Sequence, residues 1–376
     1  MNLLKTWRGI LTWLLISGCI EPYPIPQIKD NAQYLVVDGF LDATNQKVTV
    51  KLSRSVNLSE SENFNAETLA TVYLESENQL KVLLNESSNG VYERFLTVDP
   101  SVKYRLRIQL TSGKKYFSDL VEVKQTPPID SLNFFPSLSG LQIRAYSHDP
   151  KSKTHYYFWK YEETYEYTSA YQSSYTVLNK ILLYRNEDIY HCWTSNRNTE
   201  IVLTSTKSLK EDVVSGFAIA TLPKNSVKIK RKYSILVQQM ALEQKAYDFW
   251  QLLKKNTESL GTLFDPQPSP VIGNIFSETD DQENVLGYFM GSTVAQKRIT
   301  FDLYDLPKEY QLNRDFGTCE LKIIPVGEVT SISEKSYLII TAVPAPSPTP
   351  SEYYYSTTNC ADCRLQGGTT NRPPYW

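Results

Sequence analysis

The sequence predicts an all-β protein of two β-sandwich domains of the immunoglobulin or fibronectin type, the second larger and carrying one inserted helix at about residues 243–257. The chain is rich in residues that favour strands, with 26 Tyr and 14 Phe against 3 Met. Short alternating segments separated by turn residues recur along most of its length, as in β-sandwiches. One stretch, from Tyr233 to Phe301, interrupts these strands with an amphipathic helix.

The N-terminus is typical of an export signal. Lys5 and Arg8 precede an apolar stretch at 10–16 that is too short to span a bilayer. Leu15-Ile-Ser-Gly-Cys19 closes it and resembles a bacterial lipobox. Residues 1–18 are therefore predicted to be a lipoprotein signal peptide and Cys19 the site of lipid attachment. The alternative is an ordinary secretory signal with a chance cysteine.

A proline-rich tether is predicted at 19–32, because the alternate prolines from Pro22 to Pro26 favour an extended chain that cannot pair in a sheet. The N-terminal sandwich follows at 33–126 and ends at Thr126-Pro-Pro128. Its strands are predicted at 34–41, 48–52, 70–75, 80–84, 104–110 and 116–123.

The larger C-terminal sandwich is predicted at 129–343. Its strands are expected at 141–146, 155–167, 171–183, 190–193, 201–204, 233–239, 285–289, 297–301, 321–324 and 336–342. The helix has one apolar stripe, formed by Leu242, Ala246, Phe249, Trp250 and Leu253. Ala241 stands before it, where a capping Ser or Thr is more usual. The tail at 344–376 is expected to pack on this second domain.

Four cysteines remain once Cys19 is lipidated, and in an exported protein an even number predicts disulfides. They are Cys192, Cys319, Cys360 and Cys363. Sequence cannot choose among the three pairings, although Cys360 with Cys363 and Cys192 with Cys319 is slightly favoured. A zinc site at Cys360-Ala-Asp-Cys363 is the competing interpretation, but it lacks a second CxxC or a His pair.

Composition and motifs argue against several classes of function. A formal charge of −2 without a basic cluster does not suit nucleic acid. The histidines 148, 155 and 191 have no metal-binding or catalytic spacing, and no nucleophile elbow or phosphate loop is present. Asp265 and the acidic loop at 280–283 lack the spacing of a calcium loop. We expect no enzyme activity, no cofactor and no metal.

Two stretches are candidates for binding. In the aromatic strand at 156–167, Tyr157, Trp159 and Tyr161 could contact a sugar or a partner, although alternation buries every second ring. The rigid loop at 264–275 could contact a partner protein, because its three prolines lower the entropy cost of docking. Its candidate contact residues are Phe264, Pro268, Val271 and Ile272. The same loop could instead hold the helix in place.

Several segments together resemble one known family. They are the lipobox cysteine followed by Glu-Pro-Tyr-Pro, Leu-Val-Val-Asp-Gly39, Pro-Pro-Ile-Asp-Ser131, Cys192-Trp193, Leu-Phe-Asp-Pro-Gln-Pro-Ser with Gly-Asn-Ile275, and the ending from Cys360 to Trp376. The chain is similar to the Bacteroidota outer-membrane lipoproteins catalogued as domain of unknown function 4249. This family has no assigned catalytic residues. Its members are typically encoded beside TonB-dependent receptors, which implies both a location and a partner.

The resemblance and the lipobox together predict a non-catalytic outer-membrane lipoprotein, exposed on the cell surface, that assists a TonB-dependent receptor or captures its ligand. One alternative is a separate adhesion module that binds carbohydrate or protein. A hydrolase is the weaker alternative, because it would need facing carboxylates contributed by distant parts of the sequence.

Overall fold

The computed structural model describes residues 33–56, 65–258, 271–311 and 317–376, and strands predominate in it. The all-β class is thereby confirmed. The predicted signal peptide, Cys19 and the tether at 19–32 lie outside the described residues. Within the described ranges, no helix is long and apolar enough to cross a membrane.

The elements follow one another in chain order. The first strands are β1 (Leu35–Asp42), β2 (Lys47–Arg54), β3 (Thr71–Ser76), β4 (Lys81–Leu83), β5 (Asn85–Ser88), β6 (Val91–Phe95), β7 (Tyr104–Gln109), β8 (Lys115–Ser118) and β9 (Val123–Lys124). Next are β10 (Ile129–Ser137), β11 (Gly140–Asp149), β12 (Tyr156–Thr168), β13 (Tyr175–Leu178), β14 (Ile181–Tyr184), β15 (His191–Arg197), β16 (Val202–Ser205), β17 (Asp212–Leu222) and β18 (Lys232–Ala241). Helix α1 (Gln244–Glu258) is followed by β19 (Ile275–Ser277), β20 (Val285–Ser292), β21 (Val294–Asp302), β22 (Lys322–Pro325), β23 (Tyr337–Ala342) and β24 (Glu352–Thr357). Short helices are α2 (Lys308–Gln311), α3 (Thr358–Ala361) and the 3-10 turns Val227–Ile229, Leu303–Asp305, Val329–Ser331 and Cys363–Gln366.

The first sandwich packs a six-stranded sheet, ordered β5-β6-β2-β1-β20-β9, against a five-stranded sheet, ordered β19-β8-β7-β3-β4. Alternating apolar residues fill the space between the sheets, among them Val37, Leu52, Leu74 and Leu106, each fully buried. Strands β19 and β20 were expected in the second domain, because they follow the helix in sequence. They complete the first sandwich instead, and β20 pairs with β1 in parallel along its whole length.

A polar clamp holds β20 in this position. The Asn274 side-chain amide donates to the Phe289 carbonyl at 2.8 Å and accepts from the Phe289 N–H at 2.8 Å. Asn274 is 3% exposed, so both hydrogen bonds form away from water. The close approach of the chains around Asn274 requires glycine at positions 273 and 287. A Cβ at Gly273 would lie 1.7 Å from the Gly287 carbonyl oxygen, and a Cβ at Gly287 would lie 1.9 Å from the Val37 carbonyl oxygen. This contact explains the Gly-Asn-Ile motif.

The second sandwich packs the sheet β10-β11-β17 against the sheet β15-β12-β18-β21, to which β16 adds through β12. Strand β12 is its longest element and pairs with β15, β16 and β18. Tyr157 and Trp159 on this strand are fully buried, and Tyr161 is partly buried against the same core. The prediction that these three rings form a binding face was wrong for Tyr157 and Trp159, because alternation turns them inward.

Helix α1 begins at Gln244, one residue from the predicted start, and packs over the junction of the two sandwiches. Its apolar stripe contacts Tyr288 and Met290 of β20 and also Phe158 and Met240 of the second sandwich. The helix therefore shares its hydrophobic surface between both sandwiches.

A small third unit was not anticipated. Strands β22, β24 and β23 form their own sheet, and the hairpin β13-β14 packs on it through Tyr175, Val177 and Leu182. The segments at 171–183, 321–324 and 336–342 were expected in the second sandwich. The segments at 321–324 and 336–342 pair instead with the tail, whose β24 lies between β22 and β23, whereas the segment at 171–183 forms the hairpin β13-β14.

One disulfide attaches this unit to the second sandwich, and a second lies within the unit itself. The bridges join Cys192 to Cys363 and Cys319 to Cys360, with Cα atoms 5.8 and 5.7 Å apart. The four cysteines were correctly predicted to pair, but the favoured pairing was wrong. Thr369 pairs with Trp193 next to β15, so the tail runs beside that strand and brings Cys363 to Cys192. Cys360 lies in α3, one turn earlier, and meets a different neighbour.

We expect Asn274→Ala to lower the free energy of unfolding by roughly 2–4 kcal/mol, because it leaves the buried N–H and C=O of Phe289 unpaired. Chemical denaturation measures this change. Asn85→Ala on the exposed strand β5 is the matched control and should change stability by less than about 0.5 kcal/mol. Equal effects of the two substitutions would contradict a structural role for the clamp.

The two bridges should also differ in their effect on stability. They close segments with sequence separations of 171 and 41 residues. In the chain-entropy model, replacing Cys192 and Cys363 by Ser should therefore cost about 1 kcal/mol more than replacing Cys319 and Cys360. Thermal denaturation of the two double variants tests the order, and non-reducing peptide mapping tests the pairing. Recovery of a Cys360–Cys363 peptide would refute this connectivity.

Candidate functional site

A groove of about 570 Å³ opens where the two sandwiches meet the start of α1. This volume lies within the usual range for small-molecule sites. The groove is lined by the loop between β8 and β9, the loop between β11 and β12, the entry to α1, and the surface of β20. Its principal polar residues are Asp119, Glu122, Lys153, His155, Glu243 and Tyr288.

The wall from the first sandwich is tied to the Asn274 clamp. The Asp119 N–H donates to the Asn274 carbonyl at 2.9 Å, which fixes the loop between β8 and β9. On the same wall, Glu122 lies between Lys124 at 3.1 Å and Lys103 at 3.3 Å. The hydrogen bond and charge of Lys124, with a smaller contribution from Lys103, hold the pKa of Glu122 below its usual range.

The wall from the second sandwich is an Asp-stabilised turn. The Asp149 carboxylate accepts from the backbone N–H of Lys151 at 2.9 Å and of Lys153 and Thr154 at 3.0 Å. Burial raises the pKa of Asp149, but these backbone hydrogen bonds outweigh it and bring the pKa below the usual value. The turn thus holds Lys153 at the groove.

The residues at the start of helix α1 form hydrogen bonds with both walls of the groove. The Leu242 N–H donates to the Tyr156 carbonyl at 2.9 Å, and the Glu243 carboxylate accepts from the Glu122 N–H at 2.9 Å. The first helical hydrogen bond runs from the Tyr247 N–H to the Glu243 carbonyl. Because the Glu243 side chain is used by the first sandwich, it does not cap its own helix.

Two ring side chains of the groove, Tyr288 and His155, have polar atoms that lack hydrogen-bond partners among the described residues. Tyr288 is 6% exposed and its ring packs on Phe249 at 5.0 Å, but its hydroxyl makes no hydrogen bond there. Burial, reinforced by the charges of Glu243 and Asp119, raises the pKa of Tyr288, so the hydroxyl keeps its proton at neutral pH. The Nδ1 atom of His155 is likewise buried and unpaired. Such groups are costly unless a ligand or water satisfies them.

The loop predicted for partner contact is only partly described. Phe264 and Pro268 lie outside the described residues. Val271 packs against the cluster around α1, in agreement with the alternative that the loop holds the helix. Ile272 is 76% exposed and lies two residues before Asn274, which lines the groove.

The acidic loop at 280–283 does not assemble a cation site in the described chain. Glu283 pairs with Lys114 at 3.0 Å and accepts from the Tyr116 hydroxyl at 2.8 Å. The described residues contain no group of three His, Cys, Asp or Glu side chains that could hold a metal ion. Asp265 is outside the described residues.

Sequence reasoning missed the groove, because its residues come from six separated places in the sequence. In the sequence, Tyr288 has no feature that distinguishes it from other strand residues. His155 was expected to be a strand or loop residue without a functional role. One signal was available. The helix start without a capping Ser or Thr indicates backbone N–H groups that need another partner.

Comparison with known proteins places the chain in one family. No curated protein matches it. The family model described as a domain of unknown function, DUF4249, matches residues 20–298, a range that contains every groove residue and ends before Cys319. Since the match covers well over half of the sequence, the chain belongs to the DUF4249 family.

Proposed function

We propose that this protein is a non-catalytic lipoprotein of the outer membrane that faces the cell exterior and captures a small polar ligand for a TonB-dependent receptor. The proposal rests on the groove, whose lining includes Tyr288, a side chain that is 6% exposed and whose hydroxyl has no hydrogen-bond partner among the described residues. Attachment through Cys19 is supported by the lipobox, and the receptor partner by the family resemblance.

The arrangement of carboxylates favours binding over hydrolysis. Glycoside hydrolysis uses two carboxyl groups, one as acid and one as base or nucleophile. In the groove, Glu122 is neutralised by Lys103 and Lys124, and Glu243 accepts a backbone N–H. Of the groove carboxylates, Asp119 is left without such a partner. A single free carboxylate can hold a ligand but does not supply the acid and base pair.

The exposure of Ile272 supports a contact with a partner protein. An exposed aliphatic side chain is suited to a docking contact, because its burial contributes about 25 cal/mol per Å². A lipid anchor restricts the protein to the membrane surface, which raises its effective concentration near a receptor. Modest contact area is then sufficient for association.

Mild-detergent pulldown of the tagged protein tests this role. Wild type should recover a TonB-dependent barrel from cells that express the neighbouring genes. Cys19→Ala should leave the membrane fraction and lose that recovery, because the anchor is absent. Ile272→Ser should weaken recovery while the protein stays folded and membrane-bound. Leu69→Ser, at a side chain that is also 76% exposed, is the matched control and should have no effect.

Two outcomes would contradict the proposal. Retention of the Cys19→Ala protein in the membrane would refute the lipid anchor. Recovery of no barrel protein by the wild type would refute the receptor partner.

A further inference from the structure

The groove has a surplus of positive charge. Four lysines line it, at positions 103, 124, 153 and 245, against the three carboxylates Asp119, Glu122 and Glu243. Lys103 and Lys124 share a single carboxylate, that of Glu122. Lys153 and Lys245 have no ion pair among the described residues. An anionic group entering the groove would therefore meet ammonium groups that are not already neutralised.

The start of α1 adds hydrogen-bond donors of the same character. The backbone N–H groups of Gln244, Lys245 and Ala246 precede the first helical hydrogen bond, and no described side chain accepts from them. The N-terminus of a 15-residue helix carries a partial positive charge that favours an anion. Gln244 and Lys245 line the groove, so this end of the helix faces the ligand space.

Tyr288 provides the groove with a hydrogen-bonding group that is independent of the helix start. A tyrosine that is 94% buried normally finds a partner for its hydroxyl, and this one has none among the described residues. Its side chain reaches the groove, and the protonated hydroxyl can donate to an oxygen.

We propose that the groove binds a small polyhydroxylated molecule that carries one oxyanion, a carboxylate or a phosphate. The oxyanion is held by the helix N-terminus with Lys245 and Lys153, and the hydroxyl groups are held by Tyr288 and Asp119. This inference rests on the proposed role in ligand capture and names the ligand class. Because the carboxylate of Asp119 accepts hydrogen bonds from hydroxyl groups, the neutral part of the ligand is assigned to the side of the groove that holds Asp119.

Three matched sugars test the proposal: glucose, glucuronate and glucose 6-phosphate, which differ at one carbon. Binding to the detergent-solubilised full-length protein is followed by saturation-transfer difference NMR of each sugar at constant ionic strength. Glucuronate or glucose 6-phosphate should bind at least about 10-fold more tightly than glucose, because a charge-assisted hydrogen bond is lost with the anion. The two anionic sugars separate a carboxylate preference from a phosphate preference.

Variants locate the contact. Lys245→Gln should weaken binding of the anionic sugar roughly 10-fold and leave glucose unchanged, since it removes a charge that acts on the anion. Tyr288→Phe keeps the ring packed and should weaken all sugars that bind by about 3- to 10-fold. Lys210→Gln, at an exposed lysine outside the groove, should change nothing.

Three results would each overturn the inference. The first is equal affinity for glucose, glucuronate and glucose 6-phosphate, and the second is no binding of any of these sugars. The third is binding that neither Lys245→Gln nor Tyr288→Phe changes. These failures differ from failure of the proposed function. Recovery of a receptor without anion binding would refute the ligand class alone, whereas anion binding without a receptor would refute the partner alone.

Discussion

The parallel pairing of β1 with β20, secured by Asn274, is the contact on which the rest of the structure depends. It brings residues 285–292 into the first sandwich, although they follow the helix in sequence. The chain then turns at Thr293 and continues as β21 of the second sandwich, where Thr126 donates its N–H to the Thr293 hydroxyl at 2.7 Å. Two of the three covalent crossings between the sandwiches, β9 to β10 and β20 to β21, therefore meet at one place. The two buried hydrogen bonds between Asn274 and the backbone of Phe289 contribute strongly to the pairing of β1 with β20.

This junction also determines where a ligand can bind. Helix α1 is placed over the crossing, with Tyr288 on one side of its apolar stripe and Phe158 on the other. Its N-terminus then opens between two loops that are themselves held by backbone hydrogen bonds. The donors of the groove are thus positioned by regular elements and need little rearrangement to receive a ligand, which lowers the cost of binding. The family match includes this whole region.

The C-terminal tail has a different role from the junction. Its last residues lie on the outer face of the second sandwich, where the Tyr375 hydroxyl is 2.8 Å from that of Thr164 and the Trp376 indole donates to Glu166 at 2.9 Å. The guanidinium of Arg298 lies 3.8 Å above the Tyr375 ring. With the bridge from Cys192 to Cys363, these contacts cover part of a sheet face that α1 leaves open. The tail therefore completes the surface of the second sandwich.

The amino-acid sequence determined the local structure, because alternation, helical period and proline act within a few residues. It predicted the strand-rich class, the helix over 243–257 and the fact that all four cysteines form disulfides, although not which cysteine bonds to which. Strands β5, β6, β10, β17 and β19 were not predicted, and neither was the role of β24, which lies in the tail at 344–376. The partners of β19 and β20, the inward orientation of Trp159 and the connection of Cys192 to Cys363 were decided by tertiary structure. Tertiary structure also decided the groove, because long-range packing brings together Asp119, Lys153, Lys245 and Tyr288. Sequence patterns report which face a residue occupies, whereas only the packed chain determines what lies opposite that face.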